Sequence, residues 1–248
     1  MPVTVNESVN APVVLFFVSM SKYVNLKDAP NVINSVPPPV DWNCISVKAV
    51  GIQSLYFILT TGLLWLDKID NVMSDFITRA PDSFSNAKYS AMRERSVGLG
   101  VMGLHSFFQQ KNIPFGSVMS KVWNQKIFKH IQDKADQASV KLAEERGSCP
   151  DAEEYGIKER FSNKTAIAPT ASISVICGGA SPGIEPIAAN SYTHKTLSGS
   201  FNVRNKYLAK ILEKHGKNND ETWSSITTNQ GSVSHLDFLT EIEKDTFK

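Results

Sequence analysis

One stretch of the chain has the residue types needed to hold a phosphate. It runs Ala166-Ile167-Ala168-Pro169-Thr170-Ala171-Ser172-Ile173-Ser174 and then Val175-Ile176-Cys177-Gly178-Gly179-Ala180-Ser181-Pro182-Gly183-Ile184-Glu185-Pro186. Hydroxyls stand at alternate positions, Thr170, Ser172 and Ser174, and the small side chains let an anion approach the backbone. A helix starting here adds free N–H groups and the positive end of its dipole, so no lysine is required. The same residues also suit an ordinary helix N-cap with structural serines, and both readings stand.

Gly98-Leu99-Gly100-Val101-Met102-Gly103 is a literal GxGxxG. In a dinucleotide-binding unit such glycines admit a pyrophosphate to a helix N-terminus. The residues before it, Arg93-Glu94-Arg95-Ser96, are not a hydrophobic strand, and no clear acidic residue follows about 20 positions on. Close packing of a strand against the next helix is the preferred reading.

The three cysteines, Cys44, Cys149 and Cys177, form no CxxC and no metal-ligand spacing. Each reads as structural, and the small number suits a reducing compartment. Histidines 105, 130, 194, 215 and 235 show no HExxH and no Cys/His pairing, so no metal site is expected.

Helical periodicity positions these residues. Leu63, Leu66, Ile69, Met73, Phe76 and Ile77 recur at spacings of three and four, and Pro81 ends that helix. Ser96 to Met102 is apolar and glycine-spaced, and Leu104 to Gln110 turns helical. A long helix from about Val118 to Arg146 has Val122, Ile127, Ile131, Ala135, Ala138 and Leu142 on one face, with Gly147 as its C-terminal stop. Thr165 to Pro169 reads as a short strand, Tyr207 to His215 as a helix stopped at Gly216, and Ser234 to Phe247 as a last helix. Alternating strand and helix patterns make the class α/β with a largely parallel sheet. Residues 1–50 differ: Val13 to Met20 is apolar enough for a buried strand, and Pro37-Pro38-Pro39 forces an extended stretch.

Composition narrows the function. The 248 residues are 42% hydrophobic and 20% charged, with a formal net charge of +2. That suits a globular core and gives no basic footprint for nucleic acid. No 18-residue apolar run is present, so a membrane span is not expected, nor is a secretory signal.

Four ordered segments between residues 63 and 248 resemble the large, catalytic subunit of class I ribonucleotide reductases, in its bacteriophage form. Arg93-Glu94-Arg95-Ser96-Val97-Gly98-Leu99-Gly100 is similar to that family's arginine- and glycine-bearing barrel strand. Glu144 to Pro150 is similar to the turn after its long helix. The Pro169 run with Gly183-Ile184-Glu185-Pro186 resembles its phosphate-binding loop. Tyr192-Thr193-His194-Lys195 with Gly199-Ser200-Phe201 resembles the phage version of the segment that follows.

The resemblance implies an α/β fold, part of a ten-stranded α/β barrel, over residues 51–248, after a poorly specified or aberrant segment 1–50. It implies reduction of ribonucleoside diphosphates to 2′-deoxyribonucleotides by thiyl-radical chemistry. It implies that Pro169, Thr170, Ala171, Ser172 and Ile173 hold the substrate diphosphate, with Ser174 beside them. Asn43-Cys44-Ile45-Ser46 resembles the Cys-x-Leu-Ser of one redox cysteine, which leaves either Asn43 or Cys44 at that register and makes Cys44 the candidate. The implied partners are a metal-containing small subunit that supplies the radical, thioredoxin or glutaredoxin as reductant, and a complementary N-terminal large-subunit segment. A homodimer of the complete subunit in the cytoplasm (the host's, if phage-encoded) is also implied, with no nucleic acid or membrane. The family's Asn-x-Cys-x-Glu run and its tyrosine pair are missing from the sequence, and Lys248 falls within the expected last helix. A fragment inactive alone is therefore expected, the alternative being a degenerate or split chain that acts only as an assembly partner.

Overall fold

The computed structural model describes residues 66–248, apart from residues 177, 197 and 198. The expected Val13–Met20 strand, the proline run, the segment 1–50, Leu63, Cys44 and Cys177 lie outside the described residues. The described chain divides into two compact units, one of residues 66–100 and 129–168, the other of residues 101–128 and 169–248.

The first unit opens with helix α1 over residues 66–79. Leu66 and Met73 are buried on its inner face, and so is Asp70, a carboxylate in an otherwise apolar stripe. The Ala80 N–H closes the helix on the Phe76 carbonyl, and Pro81 turns the chain into a 3-10 turn, Asp82–Phe84. Helix α2 (Ser85–Glu94) ends on Arg95 in the left-handed conformation, φ 44°. The next residues run beside 162–166 through Ser162 N–H to Glu94 O, Val97 N–H to Asn163 O, Leu99 N–H to Lys164 O and Ala166 N–H to Leu99 O.

Leu99 and Thr165 form an isolated β-bridge, and it is parallel. The strand expected over Thr165–Pro169 is thus a single bridge. Ile167 is 75% exposed, and Pro169 has no N–H to extend a ladder.

Helix α4 (Val118–Arg146) has the bounds expected from its periodicity. In this unit it buries Ile131, Ala135, Ala138, Leu142 and Ala143, at spacings that keep one face inward. Gly147, at φ 86°, donates its N–H to the Ala143 carbonyl and stops the helix. Helix α5 (Pro150–Glu154) starts at a proline just past the buried Cys149, and Asp151 and Glu154 pair with Arg93 of α2.

The second unit begins with buried Val101 and Met102 and with Gly103 at φ 85°, the N-cap of helix α3 (Leu104–Gln110). Here the first residues of α4 are open to solvent: Val118, Met119 and Val122 are exposed, so Val122 leaves the expected buried face.

Helix α6 (Ala171–Ile176) follows Thr170. Strands β1 (Ser191–Thr196) and β2 (Gly199–Arg204) form an antiparallel hairpin in the register Ser191 to Arg204 through Thr196 to Gly199. Helices α7 (Lys206–Lys214) and α8 (Asp220–Thr228) are each capped by an asparagine side chain, Asn205 and Asn219. Tyr207, Leu208, Leu212, Trp223, Ile226, Val233, Leu236, Leu239 and Phe247 pack into one core.

The helix expected from Ser234 is shorter, α9 (Glu241–Thr246). Val233, Leu236 and Leu239 have helical spacing, but they are buried by successive turns closed by Leu236 N–H to Val233 O and Leu239 N–H to Leu236 O. The helix starts where Thr240 and Glu243 form a capping box.

Candidate functional site

The six candidate loop residues take three different roles. Thr170 is buried and sits at φ 50°, a left-handed backbone that β-branched residues rarely adopt. Its Oγ1 accepts the N–H of Gly183 at 2.7 Å, so it is tied to the glycine of the Gly-Ile-Glu-Pro run. The Thr170 hydroxyl still has its own proton to donate.

Helix α6 follows at once. Ser174 N–H donates to Thr170 O at 2.9 Å, the first bond of the helix, and the Ala171, Ser172 and Ile173 N–H groups precede it. Ser172 is exposed on this first turn, as is Ile173. Ser174 is buried and turns its hydroxyl back to Ala171 O at 2.9 Å. Ser172 and the Ala171, Ser172 and Ile173 N–H groups therefore stand at the exposed start of α6. Pro169, exposed, supplies no donor of its own.

The far side of the loop is pinned by α3. Ser106 N–H donates to Ser181 Oγ at 3.1 Å, and Ser181 N–H donates to Ser106 Oγ at 2.9 Å. Gly103 N–H donates to Ser181 O at 2.9 Å. His105 Nδ1 accepts the Ile187 N–H at 2.8 Å, and burial pushes its pKa down to about 4. These bonds join residues up to 82 positions apart and leave no periodic trace in the sequence.

They also settle the GxGxxG. In a dinucleotide-binding unit the pyrophosphate would meet the α3 N-terminus, but Ser181 occupies the Gly103 and Ser106 N–H groups there. Gly98 and Gly100 are buried beside the segment 162–166. The glycines serve packing and a left-handed cap, the preferred reading.

In the other unit, Asp70 is fully buried and faces three arginines. Its Oδ1 accepts from Arg95 Nη2 at 2.6 Å and Arg160 Nε at 3.0 Å, and its Oδ2 from Arg146 Nη1 at 2.8 Å. Burial opposes the charge, and hydrogen bonds from Arg160, Arg146 and Arg95 overcome it, so the carboxyl stays below its ordinary range. Arg146 also pairs with Asp67, and Arg160 caps the end of α4 through Arg146 O and Gly147 O. Cys149 is buried, with its N–H on Glu159 O. Among the described residues no three His, Cys, Asp or Glu side chains group as metal ligands do, and no helix is long and apolar enough to cross a membrane.

The model of the ribonucleotide reductase barrel domain matches residues 67–159 and 151–248. The chain is 45% identical over 187 residues to the ribonucleoside-diphosphate reductase large subunit of Invertebrate iridescent virus 6, covering 74% of this chain and 19% of that protein. For the large subunit of Invertebrate iridescent virus 3 the identity is 43%, over 73% of this chain and 29% of the relative. The solved alpha subunit of the Actinobacillus ureae class Id ribonucleotide reductase superposes with a TM-score of 0.68 at 37% identity, over 75% of this chain and 34% of that one. The chain thus spans about a fifth to a third of the relatives it matches. A match over this range, with helix, bridge and loop in the order the sequence leads one to expect, places the chain in the ribonucleotide reductase large-subunit family, as part of its α/β barrel domain.

Proposed function

We propose that this chain is the part of a ribonucleoside-diphosphate reductase large subunit that grips the substrate's diphosphate. The observation that carries the reading is the Thr170–Gly183 bond, which holds a hydroxyl-bearing turn in a left-handed conformation ahead of the exposed Ser172. Pro169, Thr170, Ala171, Ser172 and Ile173 anchor the two phosphates through neutral donors, with Ser174 holding the turn from behind. Binding energy far from the reacting bond then fixes where the ribose lies.

The reduction replaces the 2′-hydroxyl by hydrogen. A thiyl radical abstracts the 3′ hydrogen, and two thiols supply the electrons, closing to a disulfide as water leaves. Cys44 is the candidate for one of those thiols. The sequence has no Asn-x-Cys-x-Glu run, so the radical cysteine comes from a complementary N-terminal large-subunit segment. The radical itself comes from a metal-containing small subunit, and thioredoxin or glutaredoxin re-reduces the disulfide. The complete subunit works as a homodimer.

The test is reconstitution. The chain is combined with the N-terminal segment of a relative's large subunit and its small subunit, and conversion of CDP to dCDP is followed. Thr170→Val with Ser172→Ala raises KM strongly and changes kcat little. An unchanged KM rejects the loop assignment.

A further inference from the structure

The segment from Ser181 to Ile187 carries the Gly-Ile-Glu-Pro run and is held at both ends by one turn of helix. At one end the Ser106–Ser181 pair exchanges two hydrogen bonds, with both residues fully buried. At the other, Ile187 N–H donates to His105 Nδ1 at 2.8 Å. Between these anchors Gly183, itself at φ 49°, donates its N–H to Thr170. Ile184, in the middle of the segment, lines a groove with Leu104, Phe108 and Phe115.

The histidine is the unusual member. A ring nitrogen that accepts a backbone N–H must be unprotonated, so the proton of a neutral ring lies on Nε2. His105 is 5% exposed, and Phe115 packs edge-on against it at 5.4 Å, which sets the ring plane. Burial alone disfavours the charged ring. A strained backbone such as that of Thr170 persists only where its surroundings over-determine it. Its tie to Gly183 is as firm as the segment that carries Gly183.

We propose that His105 is a positioning residue for the diphosphate loop: by accepting the Ile187 N–H it fixes the Ser181–Ile187 segment, so that Gly183 holds Thr170 in its left-handed conformation. This inference rests on the reading of Thr170 to Ser174 as the diphosphate-binding loop.

Three variants of the 248-residue chain test it. His105→Asn keeps an acceptor near the Nδ1 position. His105→Phe keeps the ring and loses the acceptor. His105→Gln moves the acceptor to the Nε2 position, and serves if the phenylalanine variant does not fold. Two quantities are measured at pH 8: the affinity for inorganic pyrophosphate, by calorimetry, and the exchange rate of the Gly183 amide in ligand-free protein.

The asparagine variant matches wild type in both. The phenylalanine and glutamine variants bind pyrophosphate about tenfold more weakly and exchange Gly183 about tenfold faster, the effect of one lost buried hydrogen bond. Gly183 exchange unchanged in these variants overturns the proposal, whatever the affinity does. Wild-type protein that binds no pyrophosphate rejects the loop reading instead, and Gly183 exchange still decides for or against the His105 contact.

Discussion

The Gly183 N–H and the Thr170 hydroxyl oxygen lie 2.7 Å apart, across 13 positions of sequence, and both residues are buried with positive φ. The threonine gives an oxygen lone pair to the fold and retains its own hydroxyl proton as a donor.

Thr170→Val therefore separates from Thr170→Ser. Valine keeps the branched shape and leaves the Gly183 N–H buried without a partner, which costs about 1–3 kcal/mol. Serine keeps the bond. Urea unfolding curves should show the valine variant less stable by about that amount and the serine variant close to wild type. Valine and wild type unfolding together would show that the bond contributes nothing.

How much of this was legible in sequence differs by element. Leu104–Gln110 and Val118–Arg146 were, because a 3.6-residue period survives in any tertiary setting, and in the second a glycine stop marks the end. Val122 was not, because periodicity marks a face and does not show whether anything covers it. The strand over residues 165–169 and the helix from Ser234 were over-read. Short apolar runs fit several backbones, and bridges or turns won where Pro169 and Thr240 set the limits. The hairpin β1–β2 passed unnoticed as strands. Of the loop, the hydroxyl pattern was visible. The ties through His105, Ser106 and Ser181 were not, since a histidine or serine in a helix reads the same with or without a distant partner.

Asn190 is the hub of the second unit's core. Its Nδ2 donates to Gly231 O at 2.9 Å and Phe247 O at 2.5 Å, while its Oδ1 accepts from Asn205, the N-cap of α7. Asn190→Ala takes the side-chain donor from two buried carbonyls and one of two acceptors from the Asn205 amide, which keeps Gln109, and is expected to lose upward of about 2 kcal/mol. Asn190→Ala and Asn205→Ala share a bond, so a double-mutant cycle by denaturant unfolding should be clearly non-additive. Simple additivity would mean that the two side chains act independently.

Asp70→Asn removes the charge that three guanidinium groups surround. Breaking a buried pair on one side leaves the other uncompensated, at about 3–5 kcal/mol. Leu66 and Met73 on the same face stay in place, so the loss is electrostatic rather than a cavity effect. The sign with pH follows from the lowered folded-state pKa of Asp70. Its contribution is present above the ordinary carboxylate range and is lost as pH falls through and below it. Stability measured down to pH 3 should decline more steeply in wild type than in Asp70→Asn. Parallel curves would remove Asp70 from the acid response.

His105 gives the opposite kind of group, a base whose folded pKa is pushed down to about 4 by burial, from an ordinary value of 6.5. Between those two pH values the unfolded chain binds a proton that the folded chain refuses. The contribution is complete above about pH 6.5 and is lost as pH falls toward 4, in total on the order of 3 kcal/mol. Carboxylates titrate in the lower part of this window, so the informative quantity is the difference between wild type and His105→Asn, which keeps the acceptor and cannot take up the proton. Urea unfolding free energies at intervals from pH 7.5 to 4.5 should show wild type losing stability relative to the variant as pH falls, with the gap opening below about 6.5. A gap constant across the range would mean that the ring is protonated in the folded chain near its ordinary pKa, and that it does not accept the Ile187 N–H.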